Sequence, residues 1–136
     1  MISAAERLVR SFRYACQGVN TLVTTQRNIR IHLVLAAGAV GAGVWLRLSK
    51  DEWLWVLLGI VIVLMAEAFN SAIEFLCDRI SPEFHPLVKK AKDTAAAGVL
   101  MAAMLAVAIG IGIFGPRLIR EWGDYSPIPS NRTVER

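Results

Sequence analysis

Polarity along the chain follows first one rhythm and then another. From Ala5 to Val23 the apolar residues Ala5, Leu8, Val9, Phe12, Cys16, Val19 and Leu22 recur at the spacing of one helix face, and Arg7, Arg10, Arg13, Gln17, Asn20 and Thr24 gather opposite them. This predicts an amphipathic helix over about 5–26, suited to lying in a membrane interface, although a core-facing helix of a soluble bundle would share the pattern. It does not read as a secretory signal, since no compact apolar core with a small-residue cleavage site follows. Beyond it the periodicity gives way to unbroken apolar runs. "LVLAAGAVGAGVWLRL" is apolar save for Arg47 and, extended back through "NIRIH", predicts a first transmembrane helix over about 29–48. "SKDE" reads as a polar turn, after which Trp53 and Trp55 anchor a second span over about 53–77. The charged stretch "DRISPEFHPLVKKAKD" reads as a loop, and Thr94–Phe114, twenty-one residues without a charge, as a third span over about 94–114. Gly98, Ala102 and Ala106 place a small residue every fourth position, which lets another helix approach closely, and "GAVGAG" at 38–43 reads the same way. Pro116 is expected to stop the third helix and leave 116–136 poorly ordered. The fold class is therefore an all-α integral membrane domain over 1–115, a surface helix followed by three transmembrane helices.

Composition strengthens that reading. Of the 136 residues 55% are hydrophobic and 19% charged, and the mean hydropathy is +0.49. A chain this short has little interior in which to hide polar groups, so self-association is expected. Nucleic acid is excluded as a partner, because the basic residues are scattered among apolar runs instead of forming a stripe. Cys16 and Cys77 form no CxxC and read as small buried hydrophobes. Nine lysines and arginines fall on the side of the N-terminus and the second loop and six on the other, a modest bias that puts the N-terminus and "SPEFHPLVKKAKD" in the cytoplasm.

Against this apolar background the second span carries an anomaly, "EAFNSAIE". Glu67, Asn70 and Glu74 project from one helix face, and Asp78 continues it a turn later. Ionisable groups at membrane depth cost a few kcal/mol each on insertion scales (on the order of +3 for an acid at the helix centre), so they need partners, ions or water. Snorkelling or helix-to-helix hydrogen bonds are the plain alternative, but an acid, an amide and an acid on one face can hold a divalent cation or shuttle a proton. "KKAKD", Lys89–Asp93, serves equally as a positive-inside anchor or as a phosphate-facing site at a helix N-terminus. Joined to the acidic face by a short loop, it completes one cytoplasmic cluster of the kind phosphoryl transfer uses, carboxylates for a cation and a lysine for phosphate oxygens. No GxxxxGK[ST] occurs, and "GIGIFG" matches a dinucleotide fingerprint only in letters, lacking a strand before it and a helix after it.

"EAFNSAIE", running without a gap into "FLCDRISPEFHPLVKKAKDTAAAGVL", resembles the signature region of the prokaryotic diacylglycerol kinase family, which includes the undecaprenol kinases. The resemblance extends upstream through "SFRYACQGVNTLVTTQRNIRIHL" and Trp45, and so covers roughly Arg7 to Phe114. It implies a homotrimer in the bacterial inner membrane that moves the γ-phosphoryl of MgATP to the hydroxyl of a membrane lipid alcohol. It also implies roles. Glu67 falls on the general base and Asn70 on the residue supporting it. Glu74 falls on a magnesium ligand, and Gln26 stands where the family commonly has a second ligand, a glutamate. Arg7, Tyr14, Glu83, Phe84, His85, Lys92 and Asp93 fall on nucleotide-contacting positions, and Arg30 and Trp45 near the lipid. A glutamine can offer a cation only a neutral carbonyl oxygen, so the resemblance leaves one metal position weakened. The competing class is a non-enzymatic oligomeric ion channel or proton-relay subunit, which would use the intramembrane acids but not the "PEFHPL" and "AKD" segments. Diacylglycerol and undecaprenol remain equal as acceptors, since the placed residues surround the hydroxyl and not the tail.

Overall fold

In the computed structural model, residues 3–124 are described. They form four helices: α1 (Ala4–Thr25), α2 (Arg27–Trp45), α3 (Lys50–Ile80) and α4 (Pro86–Asp124). Local chemistry sets most of the ends. Ser3 and Ser49 each open a helix as a capping box: the Glu6 backbone N–H donates to Ser3 Oγ and the Glu52 backbone N–H to Ser49 Oγ, while each serine backbone N–H donates back to the glutamate at 2.7 Å. "SKDE" is thus the first turn of α3 and not a free turn. Between α1 and α2 the chain leaves helical geometry at one residue, Gln26.

The joint between α2 and α3 is more constrained. Arg47 adopts a left-handed backbone (φ 52°), the Leu48 N–H donates to the Gly43 carbonyl at 3.0 Å and the Arg47 N–H to that of Val44 at 3.2 Å, which is a Schellman stop. A side chain in that conformation costs roughly 1–2 kcal/mol, and Arg117 of α4 supplies compensation. Its Nη1 donates to the carbonyls of Leu46 (2.7 Å) and Arg47 (3.3 Å), while Nε and Nη2 grip both oxygens of Glu52 at 2.9 and 2.5 Å. One guanidinium therefore ties the ends of α2, α3 and α4 together.

That clamp also explains a departure from expectation. Pro116 does not stop the third transmembrane helix; it lies inside α4, which runs on to Asp124. The proline lacks the N–H that would bond to the Gly112 carbonyl, but the residue after it is the anchored Arg117, and a low-polarity surrounding offers the backbone no better partners than the helix. Residues 116–124, expected in a poorly ordered tail, continue α4, and 125–136 lie outside the described residues. The same helix begins earlier than expected. Pro86 occupies its first turn, a position where a missing N–H costs nothing, and the Leu87 N–H donates to His85 Nδ1 at 3.2 Å. "KKAKD" is accordingly helical.

Three helices, α2, α3 and α4, are long and apolar enough to cross a membrane. At 31 and 39 residues, α3 and α4 run about 46 and 58 Å, against about 30 Å of hydrocarbon. They pack on each other most extensively, α2 packs on α3, and α1 touches α2. Ala106 approaches Gly59 closely enough that a Cβ there would stand 3.6 Å from its backbone, and Ala102 is buried, so two of the three small residues on α4 serve helix contact; a Cβ on Gly98 would meet nothing. In "GAVGAG" only Gly43 is crowded: a Cβ there would stand 2.9 Å from Leu48 Cδ1 and from the Trp53 ring. It serves the α2–α3 turn, not helix-on-helix packing. The cysteines are not deeply buried: Cys16 is exposed and Cys77 half-buried.

Gly43→Ala is expected to cost about 1–3 kcal/mol through overpacking, lowering the thermal unfolding midpoint in detergent. Gly41→Ala, where a Cβ meets nothing within 4 Å, leaves the midpoint unchanged or higher. Equal midpoints would show that the turn accommodates the methyl.

Candidate active site

The inner face of α3 is formed by Val56, Gly59, Val63, Glu67, Asn70 and Ser71, all buried. It changes character halfway along, from aliphatic to polar, and the polar half holds the most deeply enclosed side chains of the described chain, Glu67 and Ser71. Only 2% of Glu67 is exposed. A carboxylate so buried is tolerable only beside a polar partner, and the partner comes from α2: His32 Nε2 lies 3.3 Å from Glu67 Oε1.

One turn on, Asn70 Nδ2 donates to Glu74 Oε1 at 3.1 Å. That bond fixes the amide so that its other end, Oδ1, is buried without a partner. An unused amide oxygen beside a carboxylate suits a hard cation, which takes oxygen donors. No group of three or more His, Cys, Asp or Glu able to hold a metal exists among the described residues. Magnesium does not require one, because it typically uses one or two carboxylates and completes its shell with substrate phosphates and water. Asn70 Oδ1 and Glu74 together offer oxygen donors of the type a magnesium ion takes. Gln26, half-buried at the α1–α2 joint, makes no capping hydrogen bond with its side chain.

The lysine cluster meets this face from α4. Lys92 Nζ donates to Asp78 Oδ1 at 2.8 Å, with Glu74 close enough to add its attraction. Lys89 pairs with Asp93 at 2.5 Å within α4. Lys92 and Asp93 are thus each engaged with a different partner, and both pairs reach water. Glu83, Phe84 and His85 form the exposed link between α3 and α4; Phe84 is 80% exposed, and His85 caps α4. Tyr14 and Arg7 stand on α1, both exposed. Arg30 lies in the first turn of α2, on the same end of the bundle as Glu67, whereas Trp45 lies fifteen residues on, about 22 Å along the helix. The two residues assigned to lipid are not brought together.

His32 was not among the residues singled out from sequence. It also lines a cavity of about 280 Å³ between α2, α3 and α4 whose other walls are aliphatic and aromatic, among them Leu35, Val63, Ala103, Val107 and Phe114.

Three apolar spans, the enclosed acid Glu67, an amide with an unpaired oxygen beside Glu74, and lysines at the same end are the parts that phosphoryl transfer at a membrane would need. The sequence model of the prokaryotic diacylglycerol kinase family matches residues 13–114. The undecaprenol kinase of Bacillus subtilis is 37% identical over 112 residues, 82% of this chain and 91% of the relative. The diacylglycerol kinase of Synechocystis is 37% identical over 116 residues, 85% of this chain and 66% of the relative, and that of Escherichia coli 31% identical over 101 residues, 74% and 83% respectively. The chain belongs to the prokaryotic diacylglycerol kinase family and is a membrane lipid kinase. The channel or proton-relay alternative is not favoured.

Exposed ion pairs contribute about 0–1 kcal/mol, so Lys92→Ala is expected to leave thermal stability within that range while raising the KM for ATP several-fold. An unchanged KM would mean that Lys92 does not contact the nucleotide.

Proposed function

We propose that this chain transfers the γ-phosphoryl of ATP to the hydroxyl of a membrane lipid alcohol, diacylglycerol or undecaprenol, at the cytoplasmic face of the bacterial inner membrane, and does so as a homotrimer. The observation that carries this reading is the position of the buried Glu67. Counted from the interfacial Trp53 it stands fourteen residues, about 21 Å, into a layer of about 30 Å, which leaves it about 9 Å from the opposite surface. A lipid alcohol is confined to that depth. The excess of Lys and Arg at this end, with the α1 residues Arg7, Arg10 and Arg13, favours the cytoplasmic side. α1 supplies the surface helix, its apolar face on the bilayer and its arginines in water. Trimerisation is supported by the many large apolar side chains that the four helices leave uncovered.

In this reading Glu67 accepts the proton of the lipid hydroxyl as its oxygen attacks the γ-phosphorus. The bond from that phosphorus to the β–γ bridging oxygen breaks, and ADP leaves with the electron pair. Lys92 balances charge on the phosphate oxygens, and Asp93, Arg7, Tyr14, Glu83, Phe84 and His85 hold the rest of the nucleotide. Asn70 keeps Glu74 in place through the 3.1 Å hydrogen bond. A magnesium ion held by Glu74, with the Asn70 oxygen and the Gln26 carbonyl near it, would neutralise the triphosphate. Arg30 contacts the acceptor's polar end, and Trp45, so far along α2, meets only lipid chain or the opposite interface.

Glu67→Gln preserves size and hydrogen bonding but not basicity. It is expected to leave the trimer intact by size-exclusion chromatography with light scattering, and to lower lipid phosphorylation by about 10²–10⁴-fold. Retained turnover would sink the assignment. Gln26→Glu is expected to lower the magnesium concentration for half-maximal activity, and an unchanged titration would mean that this position does not reach the ion.

A further inference from the structure

We infer that His32 is a positioning residue for the transfer: its imidazole holds the Glu67 carboxylate so that one oxygen is occupied and the other faces the acceptor hydroxyl. The inference rests on the reading of Glu67 as the base. Three observations carry it. His32 Nε2 lies 3.3 Å from Oε1 of a carboxylate that is otherwise enclosed, and a buried acid rotates to wherever its polar partner is. Asn70 bonds along α3 to Glu74 and Asp78 across to Lys92 of α4, and Ser71 belongs to α3 itself, so the tie from Glu67 to α2 belongs to His32. The residue also borders a second surrounding: besides meeting the acid through Nε2, it lines an apolar cavity of about 280 Å³ with Leu35, Ala36 and Val63.

The chemistry is that of an orienting donor. With Nε2 protonated, imidazole donates toward Oε1 and leaves Oε2 to take the hydroxyl proton. That proton stays on Glu67 until solvent or product exchange removes it, and the imidazole keeps its own. His32 gains or loses nothing in the step; it sets the geometry on which proton transfer depends.

The cavity gives a control that separates positioning from packing. His32→Leu fills apolar space and removes the donor, whereas His32→Gln puts an amide N–H close to the place of Nε2. The wild-type protein and both His32 variants, with Glu67→Gln beside them, are assayed for ATP-dependent phosphorylation of diacylglycerol and undecaprenol in mixed micelles. His32→Leu is expected to lose about 10- to 100-fold in kcat, the effect of a misplaced group, with the KM for ATP within about twofold and the thermal midpoint unchanged or higher. His32→Gln is expected to recover most of kcat. Adding His32→Leu to Glu67→Gln should lower activity no further, since residues acting as one unit are not additive. Full activity in His32→Leu beside an inactive Glu67→Gln would overturn the inference and leave the base intact; activity in Glu67→Gln would overturn the base itself. A His32→Gln protein as impaired as His32→Leu, with equal thermal midpoints, would also overturn it. If His32→Leu fails to fold, the comparison of His32→Gln with His32→Asn, whose shorter amide cannot reach, decides in the same way.

Discussion

The structure is organised around keeping one carboxylate out of water. Glu67 is 2% exposed in the middle of a helix whose inner face is aliphatic before it and polar after it, and burying an unpaired charge costs far more than a small bundle can spare. Its enclosure requires α2, because the contact at 3.3 Å comes from His32, and it requires α4, because the aliphatic half of the same face packs there through Gly59 and Ala106. Three helices must therefore converge. The polar triplet is not an interruption of an apolar span but the reason for its particular packing.

The opposite end of the bundle supplies the rigidity this needs. Arg117 grips Glu52 with two nitrogens and caps the carbonyls of a left-handed turn with the third, so α2, α3 and α4 are pinned there as one unit. The lysine end is looser: the pairs of Lys92 with Asp78 and of Lys89 with Asp93 are exposed, and exposed pairs are weak. Weak pairs yield at little cost, so the bundle has a fixed end at Arg117 and a looser end at the lysines.

Much of this was legible in the residues. Long uncharged runs announce spans because no other element hides its backbone in lipid, and the acid–amide–acid spacing identifies a face because three and four residues make a turn. What could not be read was tertiary. The rule that proline ends a helix is local, and it failed at Pro116 because an anchor sixty-five residues away, Glu52, holds the next residue. The helical start at Pro86 was hidden by the charges that follow it. His32 was visible only as part of "NIRIH", an extension of the first span. A lone histidine inside an apolar helix is itself a functional signal, but its partner depends on how α2 is turned against α3, which no spacing along the chain reveals. Gln26 stayed a question of ligand chemistry in both views, since its half-buried side chain makes no cap.

The reaction itself, transfer of a phosphoryl group from ATP to a lipid hydroxyl, is the point on which the rest depends. It is tested most directly by giving the purified wild-type protein ATP labelled at the γ-phosphate, in micelles with and without diacylglycerol or undecaprenol, and following the label into the organic phase. The expected result is label in a lipid monophosphate, formed only when one of the alcohols and magnesium are present. Label that remains in ATP or appears only as inorganic phosphate, with either alcohol, would contradict it.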